Sequence, residues 1–185
     1  MKIKKIAVLV GSLRKKSFNL KTAKALIKLA PESLILEIVE IGQLPLYNQD
    51  LETVVPAEWT TFRNKIKEFD GLIFVTPEYN RSVPAVLKNA IDVGSRPPVN
   101  NVWNAKPGAV ISVTPGKLGA FGANHHLRQS LMAVNIPTMP QPEIYIAGAA
   151  KLFDEDNNLI EESAKDLLKK FLTQFEVWVT RNSEL

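Results

Sequence analysis

Apolar positions in this chain form short unbroken runs that alternate with stretches of helical spacing. Ile6-Ala7-Val8-Leu9-Val10 is continuous and ends at Gly11, the pattern of a strand buried on both faces. From Ser17 to about Ala30, Leu20, Ala23, Leu26, Ile27 and Ala30 recur at helical spacing, and Pro31 stops that helix. Leu34–Val39 reads as a second strand. A helix over about 57–69 carries Phe62, Ile66 and Phe69 on one face, and Gly71–Val75 is a third buried strand ended by Thr76-Pro77. A helix follows from Pro84 to Gly94, with Pro84 suited to its first turn. After a proline-rich loop over 96–107 come a strand over Ala109–Val113, a helix over about 120–134 and a short strand over Ile144–Ile146. The last helix places Ile160, Ala164, Leu167, Leu168, Phe171, Leu172, Phe175 and Trp178 on one stripe.

Strands separated by helices predict an α/β, doubly wound parallel sheet with right-handed crossovers. Strand orders 2-1-3-4-5 and 3-2-1-4-5 both fit this pattern. Either order places ligands beyond the carboxyl ends of the strands. Three polar clusters follow strand ends: Gly11–Asn19, Pro77–Arg81 and Thr114–Lys117. Their convergence on one sheet edge is the site hypothesis.

Composition narrows the chemistry. The chain has 185 residues, which predicts one domain over 1–185 at roughly 150 residues per domain. It has no cysteine, which excludes disulfides, thiolate metal sites, dithiol redox chemistry and a cysteine nucleophile. Its two histidines, His125 and His126, are adjacent and so point apart on a helix, a poor metal pair. Redox chemistry would therefore need an organic cofactor. The net charge of +4 suits solubility or a few anionic ligands, and no clustered basic motif marks a nucleic-acid binder. The basic start Met1–Lys5 precedes an apolar run of only five residues, below the roughly 7–15 of a signal-peptide core. No run approaches the roughly 20 apolar residues of a membrane span. The expectation is a cytoplasmic protein with no membrane and no nucleic-acid partner.

The first loop offers an anion the free backbone N–H groups of a helix start. Ser12, Ser17, Asn19 and Arg14 add donors suited to a phosphate monoester. The same residues also fit an exposed basic loop with Ser17 as an N-cap. Neither G-x-x-x-x-G-K-[ST] nor G-x-G-x-x-G is present at this turn. In the second loop, Pro77 and Pro84 stiffen the chain, Asn80 suits a turn and Tyr79 offers a flat wall. A plain strand-to-helix turn capped by Ser82 is the competing reading. In the third loop, Gly116 permits close backbone approach, and Lys117 would meet a negatively charged ring edge or stand exposed. His125, His126 and Arg128 fit structural or interface roles. No hydrolase motif is present.

Three segments together resemble the NAD(P)H-dependent FMN reductase family, and bacterial quinone and chromate reductases in particular. They are Gly11-Ser12-Leu13-Arg14-x-x-Ser17-Phe18-Asn19, Thr76-Pro77-Glu78-Tyr79-Asn80-x-Ser82-Val83-Pro84 and Leu87-Lys88-Asn89-Ala90-Ile91-Asp92. The resemblance implies a flavodoxin-like fold of order 2-1-3-4-5 with bound FMN and with NAD(P)H as co-substrate. It implies phosphate contacts from Ser12, Arg14, Ser17, Phe18 and Asn19. It implies a ring border from Pro77, Glu78, Tyr79 and Asn80, largely through backbone atoms, with Thr114, Gly116 and Lys117 closing the other side. It also implies a homodimer or dimer of dimers with the helix over Ala85–Val93 in the interface. Arg81, Val93 and the run Gly119-Ala120-Phe121-Gly122 depart from the common family pattern, the last replacing Gly-Gly-Ala-Arg. Arg81 pairing with Glu143 across subunits is a further expectation.

The implied reaction is ping-pong transfer from NAD(P)H to FMN and then to a small-molecule acceptor: a quinone, flavin, azo compound or chromate. The flavin would carry the chemistry, so no catalytic acid or base is assigned. A flavodoxin-like one-electron carrier and a non-catalytic flavin-binding sensor are the alternatives.

Overall fold

The computed structural model describes residues 3–183. Met1 and Lys2 of the basic start lie outside the described residues, as do Glu184 and Leu185. A five-stranded parallel sheet in the order β2-β1-β3-β4-β5 settles the choice between the two strand orders. The strands are β1 (Lys4–Val10), β2 (Leu34–Val39), β3 (Gly71–Thr76), β4 (Gly108–Val113) and β5 (Ile144–Ile146). The helices are α1 (Phe18–Leu29), α2 (Ala57–Lys67), α3 (Ala85–Gly94), α4 (Phe121–Ala133) and α5 (Glu162–Asn182).

The continuous apolar runs are central strands because both of their faces are covered. Ile6, Val8 and Val10 point with Ile73, Val75 and Ile111 into a core under α1 and α5. Ala7, Leu9, Leu72, Phe74 and Val110 point the other way, into a core under α2, α3 and α4. β3 is buried along its whole length, and its register with β1 pairs Val8 with Ile73 and Val10 with Val75. β2 lies at the edge, so its burial alternates: Leu34 and Leu36 face inward while Ile35 and Glu37 face water.

Two helix stripes differ from the expected ones. In α5 the buried positions are Ala164, Leu168, Phe171, Leu172, Phe175 and Val179. Ile160 precedes the helix and is 52% exposed, and Leu167 turns outward. Both the 164–167–171 and the 164–168–171 spacing suit a helix. Packing against α1 selects the second. In α1, Ile27 is likewise exposed, and Asn19, Thr22, Ala23, Ala25 and Leu26 form the buried side.

The proline-rich loop over 96–107 holds a core residue that the sequence pattern did not reveal. Trp103 is fully buried, and its indole Nε1 donates to the Ile91 carbonyl at 2.9 Å. A Cβ at Gly94 would overlap that ring, so the end of α3 needs glycine there. Among the described residues, no helix is long and apolar enough to cross a membrane.

Candidate active site

The first loop leaves β1 at Gly11, whose N–H still donates to Val75 at 2.9 Å and so continues the sheet by one residue. Gly11 sits hard against the second loop. A Cβ there would lie 2.9 Å from Pro84 Cγ, 3.0 Å from Pro77 Cδ and 3.3 Å from Leu87 Cδ2. Ser12 is buried behind this contact, whereas Arg14, Lys15 and Lys16 are exposed.

Ser17 caps α1. Its extended backbone (φ −71°, ψ 128°) turns the chain, and its hydroxyl accepts from Leu20 N–H at 3.3 Å. The N-cap reading is therefore correct, and it leaves room for an anion, because one cap leaves other first-turn N–H groups unpaired within the helix. Asn19 is buried in that first turn. Its Nδ2 reaches the Val113 carbonyl at 3.4 Å, tying α1 to the end of β4, while its Oδ1 is buried with no hydrogen-bond partner. Phe18 turns its ring away onto Phe153, with ring centroids 6.4 Å apart, and Lys21 lies over both rings. The group that Phe18 presents at the helix start is thus its backbone N–H.

The second loop is a tight hairpin. Tyr79 N–H donates to the Ser82 carbonyl at 3.1 Å and Ser82 N–H returns to Tyr79 at 3.0 Å. The two residues between them, Asn80 (φ 49°) and Arg81 (φ 66°), are both left-handed. That is the geometry of a type I′ turn, common for asparagine and costly for arginine. Pro77 is buried, and Tyr79 is 48% exposed at the hairpin base. Ser82 does not cap α3. Pro84 holds the N-cap position, and the Ser82 hydroxyl meets His126 Nδ1 at 3.1 Å. Replacing Arg81 with glycine relieves left-handed strain of about 1 kcal/mol and gives up an ion pair of lesser value, whose guanidinium side is largely in water. Arg81→Gly is expected to raise the melting temperature by about 1–2 °C. A fall in thermal unfolding measurements would show that the ion pair outweighs the strain.

In the third loop, Thr114 is half-buried, and its hydroxyl accepts from Gly116 N–H at 3.2 Å. Gly116 and Thr114 carbonyls then accept from Gly148 and Ala149 N–H at 3.0 and 3.1 Å. Gly116 and Lys117 are exposed. His125 Nε2 meets the Tyr145 hydroxyl at 3.1 Å. Burial, and then the Glu143 carboxylate, push the pKa of that hydroxyl up to about 12, so it stays protonated at neutral pH. Arg81 pairs within its own chain with Glu78 at 3.3 Å. Among the described residues no group of three or more His, Asp or Glu is placed to hold a metal ion.

A cleft of about 370 Å³ joins the first two loops, lined by Gly11, Leu13, Arg14, Tyr79, Pro84, Ala85 and Val86. It brings together Arg14 and Tyr79 from the expected set. Ser17 and Asn19 lie beside it at the start of α1. Thr114, Gly116 and Lys117 do not line it. The lining residues Leu13, Ala85 and Val86 were not singled out in the sequence, although Leu13 is an apolar residue in a polar loop. The available groups can seat an anion at the α1 start and a flat apolar body beside Tyr79.

Residues 4–151 match the family described as NADPH-dependent FMN reductase. The chain is 55% identical over 178 residues to a quinone reductase of Pseudomonas putida, covering 96% of this chain and 95% of that one. The chain belongs to the NADPH-dependent FMN reductase family. A 2-hydroxy-1,4-benzoquinone reductase of Burkholderia is 45% identical over 175 residues, covering 95% of this chain and 96% of that one. The FMN reductase fold seen here superimposes on FerB, a flavoenzyme NAD(P)H:(acceptor) oxidoreductase of Paracoccus denitrificans. The TM-score is 0.92 at 39% identity, over 97% of this chain and 99% of FerB. A flavodoxin from Pseudomonas aeruginosa shares the fold at a TM-score of 0.54 and 17% identity, over 93% of this chain and 99% of that one. The flavodoxin-like architecture and the family expected from the three segments are both established. As a member of this family the protein is an oxidoreductase that works with a flavin and NAD(P)H.

Proposed function

We propose that residues 1–185 form one FMN-binding unit that oxidises NAD(P)H and reduces quinones. The observation that carries this reading is the meeting of the β1 and β3 loops at an anion-ready helix start beside an exposed aromatic wall. Ser12, Arg14, Ser17 and the N–H groups of Phe18 and Asn19 suit the phosphate. The unpartnered Asn19 Oδ1 is an acceptor, so it suits a hydroxyl of the ribityl chain better than an anionic oxygen. Pro77, Glu78, Tyr79 and Asn80 supply a stiff border for the ring, chiefly through backbone atoms. Thr114, Gly116 and Lys117 stand one strand further along and would close the far side.

When bound, the flavin supplies two-electron chemistry between reduced nicotinamide and an acceptor, and the protein supplies binding and orientation. No side chain here needs to act as acid or base. Arg14 is free to swing onto an anion because nothing buries it. Tyr79 and Leu13 leave the cleft open on one side. A homodimer or dimer of dimers, with α3 in the contact, would wall that side and keep water out. A cytoplasmic location fits an enzyme that draws on the NAD(P)H pool.

Purified protein is expected to be yellow, or to become so with added FMN, and anaerobic NADPH should bleach it in a single two-electron step. A quinone should restore the colour. Protein that neither holds FMN nor oxidises NAD(P)H with FMN and a quinone present would end this reading. Stepwise one-electron bleaching would favour an electron carrier.

A further inference from the structure

Glu78 lies in the ring-border loop, yet its side chain is occupied elsewhere. The carboxylate is only 13% exposed. Oε2 accepts from Ala123 N–H at 3.1 Å, in the first turn of α4, and Oε1 accepts from Arg81 Nη1 at 3.3 Å. α4 has no cap of its own: its N-cap position is Ala120, which is left-handed at φ 58° and offers no side-chain acceptor. Glu78, 45 residues earlier in the chain, takes that role. A carboxylate is also the side chain that a helix N-terminus favours electrostatically.

Space for the contact comes from Gly122. A Cβ there would lie 2.9 Å from the Arg81 carbonyl oxygen and 3.0 Å from Glu78 Oε2. In this chain the run Gly119-Ala120-Phe121-Gly122 thus ends in the one residue type that lets the second loop dock on α4. Asn80 and Arg81 are both left-handed, and besides its own two backbone bonds the hairpin meets α4 through Ser82 Oγ and His126 Nδ1 at 3.1 Å, so Glu78 is the tie at the start of that helix.

We propose that Glu78 and Gly122 form a clasp that locks the β3 loop onto the start of α4 and so fixes the spacing between the two walls proposed for the ring. Glu78 is a positioning residue, and its carboxylate takes no part in electron transfer. The clasp rests on the FMN reading for its effect on ligand affinity but stands on protein contacts alone.

Two measurements separate the two ideas. Amide exchange of FMN-free protein reads the clasp: the Ala123 N–H should exchange about tenfold faster in Glu78→Ala, with Glu78→Gln in between because its amide oxygen still accepts. FMN titration by fluorescence quenching reads the consequence: Glu78→Ala and Gly122→Ala should each raise Kd about tenfold, and the double variant by clearly less than the hundredfold product, as coupled residues do. Should Glu78→Ala fail to fold, Glu78→Gln carries both measurements. Unchanged Ala123 exchange in the Glu78 variants, or a fully multiplicative double variant, overturns the clasp. Wild-type protein that binds no FMN overturns the flavin reading, and the exchange result then decides the clasp by itself.

Discussion

Gly11→Ala should cost about 1–3 kcal/mol of stability and weaken FMN binding by at least about tenfold. The added methyl group would stand 2.9 Å from Pro84 Cγ and 3.0 Å from Pro77 Cδ. Both neighbours are ring atoms that cannot rotate aside. Pro77 follows the end of β3, and Pro84 holds the N-cap position of α3. Leu87, 3.3 Å away, is fully buried in α3 and has little room to yield. Relief must come from parting the first loop from the second, which widens the cleft between Arg14 and Tyr79. Thermal unfolding with and without FMN checks the result. The flavin-free protein should melt lower, and the stabilisation by a fixed FMN concentration should shrink, because ligand stabilisation scales with the logarithm of concentration over Kd. An unchanged FMN-dependent shift would show that the two loops do not need this contact to bind FMN.

The contrast between loop and strand explains what could be read in advance. A central parallel strand has no polar face, so Gly71–Thr76 announces itself as an apolar run and its end as the first polar residues after it. Positions of the three loops follow directly from that. What the loops do with their side chains does not. Glu78 reaches Ala123 across the chain, and no local spacing encodes a contact between residues so far apart in sequence. Trp103 is hidden for a related reason: its loop has no periodicity, and its burial depends on the gap at Gly94. The resemblance names Phe18 as a phosphate contact, and because its ring packs on Phe153, only its backbone can serve there. Family resemblance pointed to a candidate site by its motifs; the fold shows which of their atoms are already used by contacts within the protein.

Asn19 carries a buried, unpartnered oxygen, and its replacement separates folding from binding. Leaving a buried acceptor unpaired costs about 1–3 kcal/mol in the protein without ligand. Asn19→Ala removes that unpaired Oδ1 along with a long 3.4 Å contact to Val113. The two effects oppose each other, so the FMN-free variant should melt close to the wild type. Binding should behave differently. If the ribityl chain of FMN donates to this oxygen in a buried setting, the loss should be about 1.5–3 kcal/mol, a Kd raised roughly ten- to hundredfold. Riboflavin has the same chain without the phosphate and should lose affinity by a similar factor. Ser17→Ala, which removes the helix cap and the proposed phosphate donor, should weaken FMN far more than riboflavin. Fluorescence titration of both flavins against both variants checks this. Should Asn19→Ala destabilise the flavin-free protein by more than about 2 kcal/mol and leave both affinities unchanged, Asn19 is a strut between α1 and β4 and its free oxygen has no ligand.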